Sequence, residues 1–167
     1  MKILGLISDT HIPSRRKKLP ESVIKAFKER DVEMIIHAGD FEDLSVATTL
    51  EEIAPLKAVH GNMCHSSVKK RFPKKEIVSA EDLVIGVTHG SGSPTGYHKR
   101  VISEFSNDPL PNIIVCGHTH QPNAKIKKKI LLINPGTPTD RYFASRNTIA
   151  VLEIDRKNYK YYFIEIK

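Results

Sequence analysis

Apolar and polar positions divide the chain into two rhythms. In the first half, short apolar runs alternate with helical spacing. Residues 2–8 (KILGLIS) read as a buried strand, and 20–30 carry Val23, Ile24 and Phe27 at helical intervals. A second apolar strand over 32–40 (VEMIIHAGD) ends in Gly-Asp. Helical spacing returns over 43–53, and a third strand over 55–62 (PLKAVHGN) ends in Gly-Asn. This β-α-β-α-β order predicts a parallel sheet with crossover helices. The second half turns to hairpins. One spans 76–90 and reverses near Glu81-Asp82, one spans 124–133 with lysines at its tip, and one spans 147–167 and reverses at Arg156–Asn158. Between them the pattern predicts a helix over 95–106 and a strand over 112–120 (NIIVCGHTH). Parallel strands followed by hairpins predict two packed sheets with helices outside. The 167 residues show no repeat or linker, so they read as one domain over 1–167. A chain this long buries about 70% of its unfolded surface and needs no disulfide or metal staple.

The apolar strands stop at a small set of polar residues: Asp9-Thr10-His11, Gly39-Asp40, Gly61-Asn62, His89-Gly90 and Gly117-His118-Thr119-His120. Ligands of open α/β sheets bind beyond the carboxyl ends of the strands. Five strand ends thus deliver Asp9, His11, Asp40, Asn62, His89, His118 and His120 to one rim. The spacing of two in Asp9/His11 and His118/His120 predicts side chains aimed to one side of an extended segment. Seven oxygen and nitrogen donors exceed one tetrahedral zinc. They suit two divalent ions sharing a ligand, about 3.5–4 Å apart, which can generate a hydroxide and clamp a phosphoryl group. No thiolate is in the set, which counts against soft-metal and iron–sulfur sites.

Composition narrows the setting. The opening MKILGLISDTH has no run long enough to span a membrane and no cleavage-site pattern. Two cysteines are too few for a disulfide framework, so the expected compartment is reducing and cytoplasmic. Net charge is +7, concentrated in RRKK (15–18), KKRFPKK (69–75) and KIKKK (125–129). A basic field suits anionic partners, phosphates or nucleic acid. Aromatics do not interleave with these clusters in sequence as a single-strand platform requires, so the lysines read as solvated surface.

The ordered set D-x-H, G-D, G-N, H-G, G-H-T-H resembles the calcineurin-like metallophosphoesterase superfamily, most of all its small single-domain bacterial and archaeal phosphodiesterases. The resemblance spans nearly the whole chain. It implies a four-layer α/β/β/α sandwich of two mixed sheets flanked by helices. It also implies two divalent metal ions, manganese foremost, with iron, cobalt, nickel or zinc compatible. Asp9, His11 and His120 would hold the first ion, and Asn62, His89 and His118 the second. Asp40 would bridge both alongside a hydroxide that attacks phosphorus in line, with Asn62 also facing substrate. An Asn134-Pro135-Gly136 turn matches the family's rim.

The stretch HGNMCH (60–65) invites a lone zinc site from His60, Cys64 and His65, but by this resemblance its one ligand is Asn62. Many relatives carry a histidine and an acid where Met63 and Cys64 stand here. Methionine donates no proton. Loss of a general acid is worth about 10²–10⁴ in rate, so diesters with easy leaving groups are expected, with His65 the substitute acid to consider. His98 and Arg141 are further candidates for substrate phosphate. His37 and His60 read as packing and hydrogen-bonding residues behind the site. Two other roles fit parts of the pattern: a weakly active or inactive scaffold of the same fold for protein partners, and a nucleic-acid-binding protein or nuclease using the lysine clusters.

Overall fold

The structure, a computed structural model, describes residues 1–140 and 142–167. The chain opens as β1 (Lys2–Ile7), α1 (Glu21–Lys28), β2 (Met34–His37), α2 (Leu44–Glu51) and β3 (Leu56–Ala58). It continues through α3 (Ser66–Arg71), β4 (Lys75–Ala80), β5 (Leu83–Thr88), α4 (Tyr97–Ser103) and β6 (Ile113–Val115). It ends in β7 (Asn123–Lys127), β8 (Ile130–Asn134), β9 (Thr148–Asp155) and β10 (Asn158–Glu165). The three expected hairpins are the pairs β4/β5, β7/β8 and β9/β10. The helix α3 has no counterpart in the sequence pattern. It has six residues and buries only Val68, so it carries no apolar period.

Two five-stranded mixed sheets result. In the first, ordered β10-β9-β1-β2-β3, the three early strands run parallel and β9 pairs antiparallel to β1. In the second, ordered β4-β5-β6-β8-β7, the central three are parallel and both edges antiparallel. Strand alternation explains the stacking. Leu4 and Leu6 point into the interface between the sheets with Ile36, Ile85, Val115 and Ile133. The opposite face of β1, through Ile7, packs under α1, α2 and α3 with Phe27, Leu50 and Val68. On the far side Val101 of α4 and Phe105 just after it cover Ile114, Cys116 and Leu132. The layers are therefore α/β/β/α. Burying each such large aliphatic or aromatic side chain contributes about 1.5–3 kcal/mol.

Local chemistry sets the helix starts. Asp43 caps α2 by accepting the Ser45 N–H at 2.8 Å. Glu21 begins α1, and Lys25 and Lys28 end it, matching the helix dipole. No helix among the described residues is long and apolar enough to cross a membrane.

Candidate metal centre

The strands end earlier than the apolar pattern implies, and the ligand-type residues sit in the loops just beyond. Asp9, His11, Asp40, His118 and His120 all have left-handed backbone, with φ of 51°, 42°, 54°, 69° and 58°. Each such residue costs on the order of 1–3 kcal/mol and persists only where its surroundings over-determine it. Here the loops after β1 and β2 lock together. The Asp9 N–H donates to the Gly39 carbonyl and the His11 N–H to the Asp40 carbonyl, both at 2.9 Å. The extended geometry expected from the spacing of two is thus corrected. Turned backbone, not strand alternation, aims these side chains.

Three imidazoles are oriented from behind. His11 Nδ1–H donates to Glu42 Oε1 (3.3 Å), His89 Nδ1–H to the Ala38 carbonyl (2.8 Å), and His120 Nδ1–H to Asp140 Oδ2 (2.5 Å). These partners only accept, so each Nδ1 carries a proton and each Nε2 points inward, where it offers a lone pair to a cation once its own proton is displaced. A carboxylate or carbonyl behind the ring is how proteins fix metal-ligating histidines. The inward nitrogens meet two carboxylates. Asp9 Oδ1 lies 3.3 Å from His120 Nε2 and 3.8 Å from His11 Nε2. Asp40 Oδ2 lies 3.1 Å from His89 Nε2 and 3.7 Å from His11 Nε2.

Two sets of donor atoms gather, Asp9/His11/His120 and Asp9/Asp40/His89, with each set's atoms within 4.8 Å of one another. His89 Nε2 is buried without a hydrogen-bond partner even though Asp40 stands beside it. A buried ring nitrogen set between two carboxylates is a donor arrangement that fits a divalent cation once the ring gives up its proton. The donors are imidazole and carboxylate. Both thiols are buried and protonated, with burial pushing Cys116 up to about 12, so soft-metal chemistry is disfavoured.

Charge follows the geometry. Burial opposes ionisation of Asp9, but His89 and His120 outweigh it and hold the carboxyl at about 2. Burial would lower His89 and His120. Asp9 and Asp40 beside the first, and Asp9 and Asp140 beside the second, raise both to about 9. In the metal-free chain both rings are therefore protonated at neutral pH, and a cation must displace those protons. Metal affinity is expected to rise from pH 6 to 9, about tenfold per pH unit for each proton displaced, and then level off. A chelator-competition titration measures this. Flat affinity over that range would exclude both rings as ligands.

The remaining candidates fall in different places. Asn62, Asp40, His11, His118 and His120 line one mouth of about 330 Å³ with Ser14, Arg15, Glu42, Met63 and Phe143. His118 is turned differently from the others: its Nε2–H donates to the Gly92 carbonyl at 3.0 Å, leaving Nδ1 as its lone pair. His65 is exposed at the start of α3 and does not line the mouth. His98 lines a neighbouring cavity of about 550 Å³ that shares His118, His120 and Phe143 with the mouth. Arg141 lies outside the described residues. Met63 projects into solvent, and its backbone N–H donates to Asp40 Oδ1 at 2.8 Å. The position thus works through its backbone. Cys64 is buried with its Sγ accepting the Gly61 N–H. His37 sits behind the site as expected: its Nδ1 accepts the Gly39 N–H, so its Nε2–H faces Thr10 Oγ1. Glu42 and Asp140, the carboxylates behind His11 and His120, were not singled out by the sequence. Neither has a motif or spacing that marks it.

Comparison with known proteins agrees with this geometry. Residues 1–157 match the model of the calcineurin-like phosphoesterase superfamily domain. A probable metallophosphoesterase of Methanothermobacter thermautotrophicus is 38% identical over 82% of this chain and 77% of its own. A phosphodiesterase of Methanocaldococcus jannaschii is 31% identical over 99% of this chain and 100% of its own. The crystal structure of Chaetomium thermophilum Vps29 superimposes with a TM-score of 0.84, covering 99% of this chain and 88% of that one. At 18% identity that likeness concerns the fold alone. With its two-sheet sandwich, its converging histidines and this family match, the chain belongs to the calcineurin-like phosphoesterase superfamily.

Proposed function

We propose that the protein is a metal-dependent phosphodiesterase with a dinuclear centre. The observation that carries this reading is the set of three histidines tied at Nδ1 and converging at Nε2 on Asp9 and Asp40. Asp9, His11 and His120 would hold one divalent ion, and His89, His118 and Asn62 the other. Asp40 would bridge, since its Oδ2 faces a nitrogen of each set. Once bound, two such ions supply a hydroxide for in-line attack and positive charge for the phosphoryl oxygens. Manganese, iron, cobalt, nickel and zinc all suit these donors.

The chain's own residues do the rest. Glu42, Ala38 and Asp140 keep the imidazoles in the ligating tautomer. Asn62 and Arg15 line the mouth and meet the phosphoryl oxygens there. Arg15 is the one permanent cation among the described residues of that lining, which suits a monoanionic diester better than a dianionic monoester. Met63 offers no proton where a general acid would stand, so leaving groups of low basicity are favoured. A scaffold role without chemistry is the weaker reading, because every ligand position holds a competent donor.

The test is a panel. Metal-stripped protein is reloaded with Mn, Fe, Co, Ni or Zn and assayed on bis(4-nitrophenyl) phosphate and 4-nitrophenyl phosphate. The expected result is no turnover without metal, and faster hydrolysis of the diester than of the monoester with at least one ion. Two bound ions with no diester turnover would overturn the reading in favour of a scaffold.

A further inference from the structure

The fold brings together what the sequence keeps apart. Tyr142 and Phe143 are among its most exposed large hydrophobic side chains, at 78% and 67%. They lie about 125 positions from the basic run Arg15-Arg16-Lys17-Lys18. Yet the Arg15 guanidinium sits over both rings, 5.3 Å from the Tyr142 centroid and 5.6 Å from that of Phe143. Arg15 and Phe143 also line the metal mouth. From Arg15 a second cleft of about 590 Å³ runs away from the mouth between Arg16, Lys17 and Lys18. Lys18 is paired with Glu21 at 3.1 Å, leaving about three cations of the 15–18 run for an anionic partner. Arg16 Nε is buried there without a hydrogen-bond partner.

Both halves of this face are anchored to the metal ligands. The Arg15 N–H donates to the His11 carbonyl at 2.7 Å, and Ser14 binds Glu42 through its N–H and hydroxyl. On the aromatic side one carboxylate serves two purposes. Asp140 Oδ2 receives the His120 ring proton, while Oδ1 receives the N–H groups of Tyr142 (2.8 Å) and Phe143 (3.2 Å). The Phe143 ring stands edge-on to His120, 6.4 Å between centroids. Two exposed rings side by side, on a backbone tied to Asp140 at the edge of the mouth, offer a flat partner an apolar surface to cover.

We infer that this face is a track for single-stranded nucleic acid, on which Tyr142 and Phe143 stack bases while residues 15–17 follow the backbone and lead a phosphodiester to the metal centre. Stacking on aromatics beside a positive groove is how single strands are held without sequence preference. A duplex hides its base faces and gains only the charge. The inference rests on the phosphodiesterase reading above.

The probe is a fluorescein-labelled oligothymidylate of twenty nucleotides. Anisotropy measures its binding to the metal-stripped full chain, and strand cleavage and bis(4-nitrophenyl) phosphate turnover are followed on the reloaded enzyme. The single strand should bind more tightly than the matching duplex and far more tightly than thymidine 5′-monophosphate. Its log affinity should fall with log salt at a slope near −2, from about three phosphates at about 0.7 each. Tyr142→Ala and Phe143→Ala should each weaken strand binding about five- to hundredfold. Unchanged melting temperature would confirm that the exposed substitutions leave the fold intact. Turnover of the aryl diester with no binding or cleavage of the strand would overturn the track and leave the phosphodiesterase reading standing. Equal binding of duplex and strand, or of the mononucleotide and strand, would also overturn it. Strand binding with no hydrolysis of either diester would support the track and remove the enzymatic reading instead.

Discussion

Replacing Asp40 with Ala is expected to leave a folded protein that retains at most one ion per chain and loses aryl-diester turnover by about a thousandfold or more. The reasoning starts from position. Asp40 is 2% exposed, its Oδ1 is fixed by the Met63 N–H, and its Oδ2 is the oxygen that faces both His11 and His89. Take it away and the two histidines lose the anion between them. Metal charge at a phosphoryl transition state is worth several kcal/mol, and each step of about 1.36 kcal/mol is a factor of ten in rate. Asp40→Asn keeps the shape and the Met63 hydrogen bond but halves the ligand's capacity to bridge, so it should fall between the wild type and Asp40→Ala. Metal content by mass spectrometry, with kinetics on the same samples, decides the matter. Asp40→Ala protein that still carries two ions would remove Asp40 from the bridging position and shift that role to Asp9, whose Oδ1 also faces both sets.

The candidate ligand positions were legible because each follows an apolar run and because glycines and paired spacings mark them. What the sequence conveyed less well was how they are aimed. Asp9 and His11 read as two residues on one side of a strand, yet both have positive φ, and hydrogen bonds to the neighbouring loop hold them there. Tertiary contacts of that kind leave no local trace. The same holds for Glu42 and Asp140. Each is a single acid in an unremarkable loop, and only the fold shows that it receives a ring proton. Met63 shows the reverse. Its side chain stands where relatives carry a general acid and donates no proton, yet its backbone N–H holds Asp40 Oδ1. The hairpins and crossover helices were readable because period-2 and helical patterns are local. Helix α3 was not, since only Val68 is buried in it. Tyr142 and Phe143 were invisible as partners of the RRKK run, because interleaving in space needs no interleaving in sequence.

Gly61→Ala should disable the metal centre with a single methyl group. A Cβ at Gly61 would stand 2.1 Å from Asp40 Oδ1, 2.7 Å from its Cγ and 2.8 Å from its backbone nitrogen. The carboxylate could rotate away from the first two contacts, but only by giving up the Met63 hydrogen bond and the direction of Oδ2. The third contact is backbone and cannot swing aside. Overpacking of this kind costs about 1–3 kcal/mol, or roughly 2–12 °C in melting temperature for a chain of this size. Displacing a carboxylate that positions an ion should also weaken metal binding about 10–100-fold, as losses of supporting groups do. Gly86→Ala separates the two effects. There the added Cβ would meet the Phe105 ring at 2.8 Å, under α4 and away from the ligands. It should lower the melting temperature by a similar amount and leave metal affinity unchanged. If Gly61→Ala weakens metal binding no more than Gly86→Ala does, then the Gly-Asn turn is a packing feature, and Asp40 is held in place by its own loop.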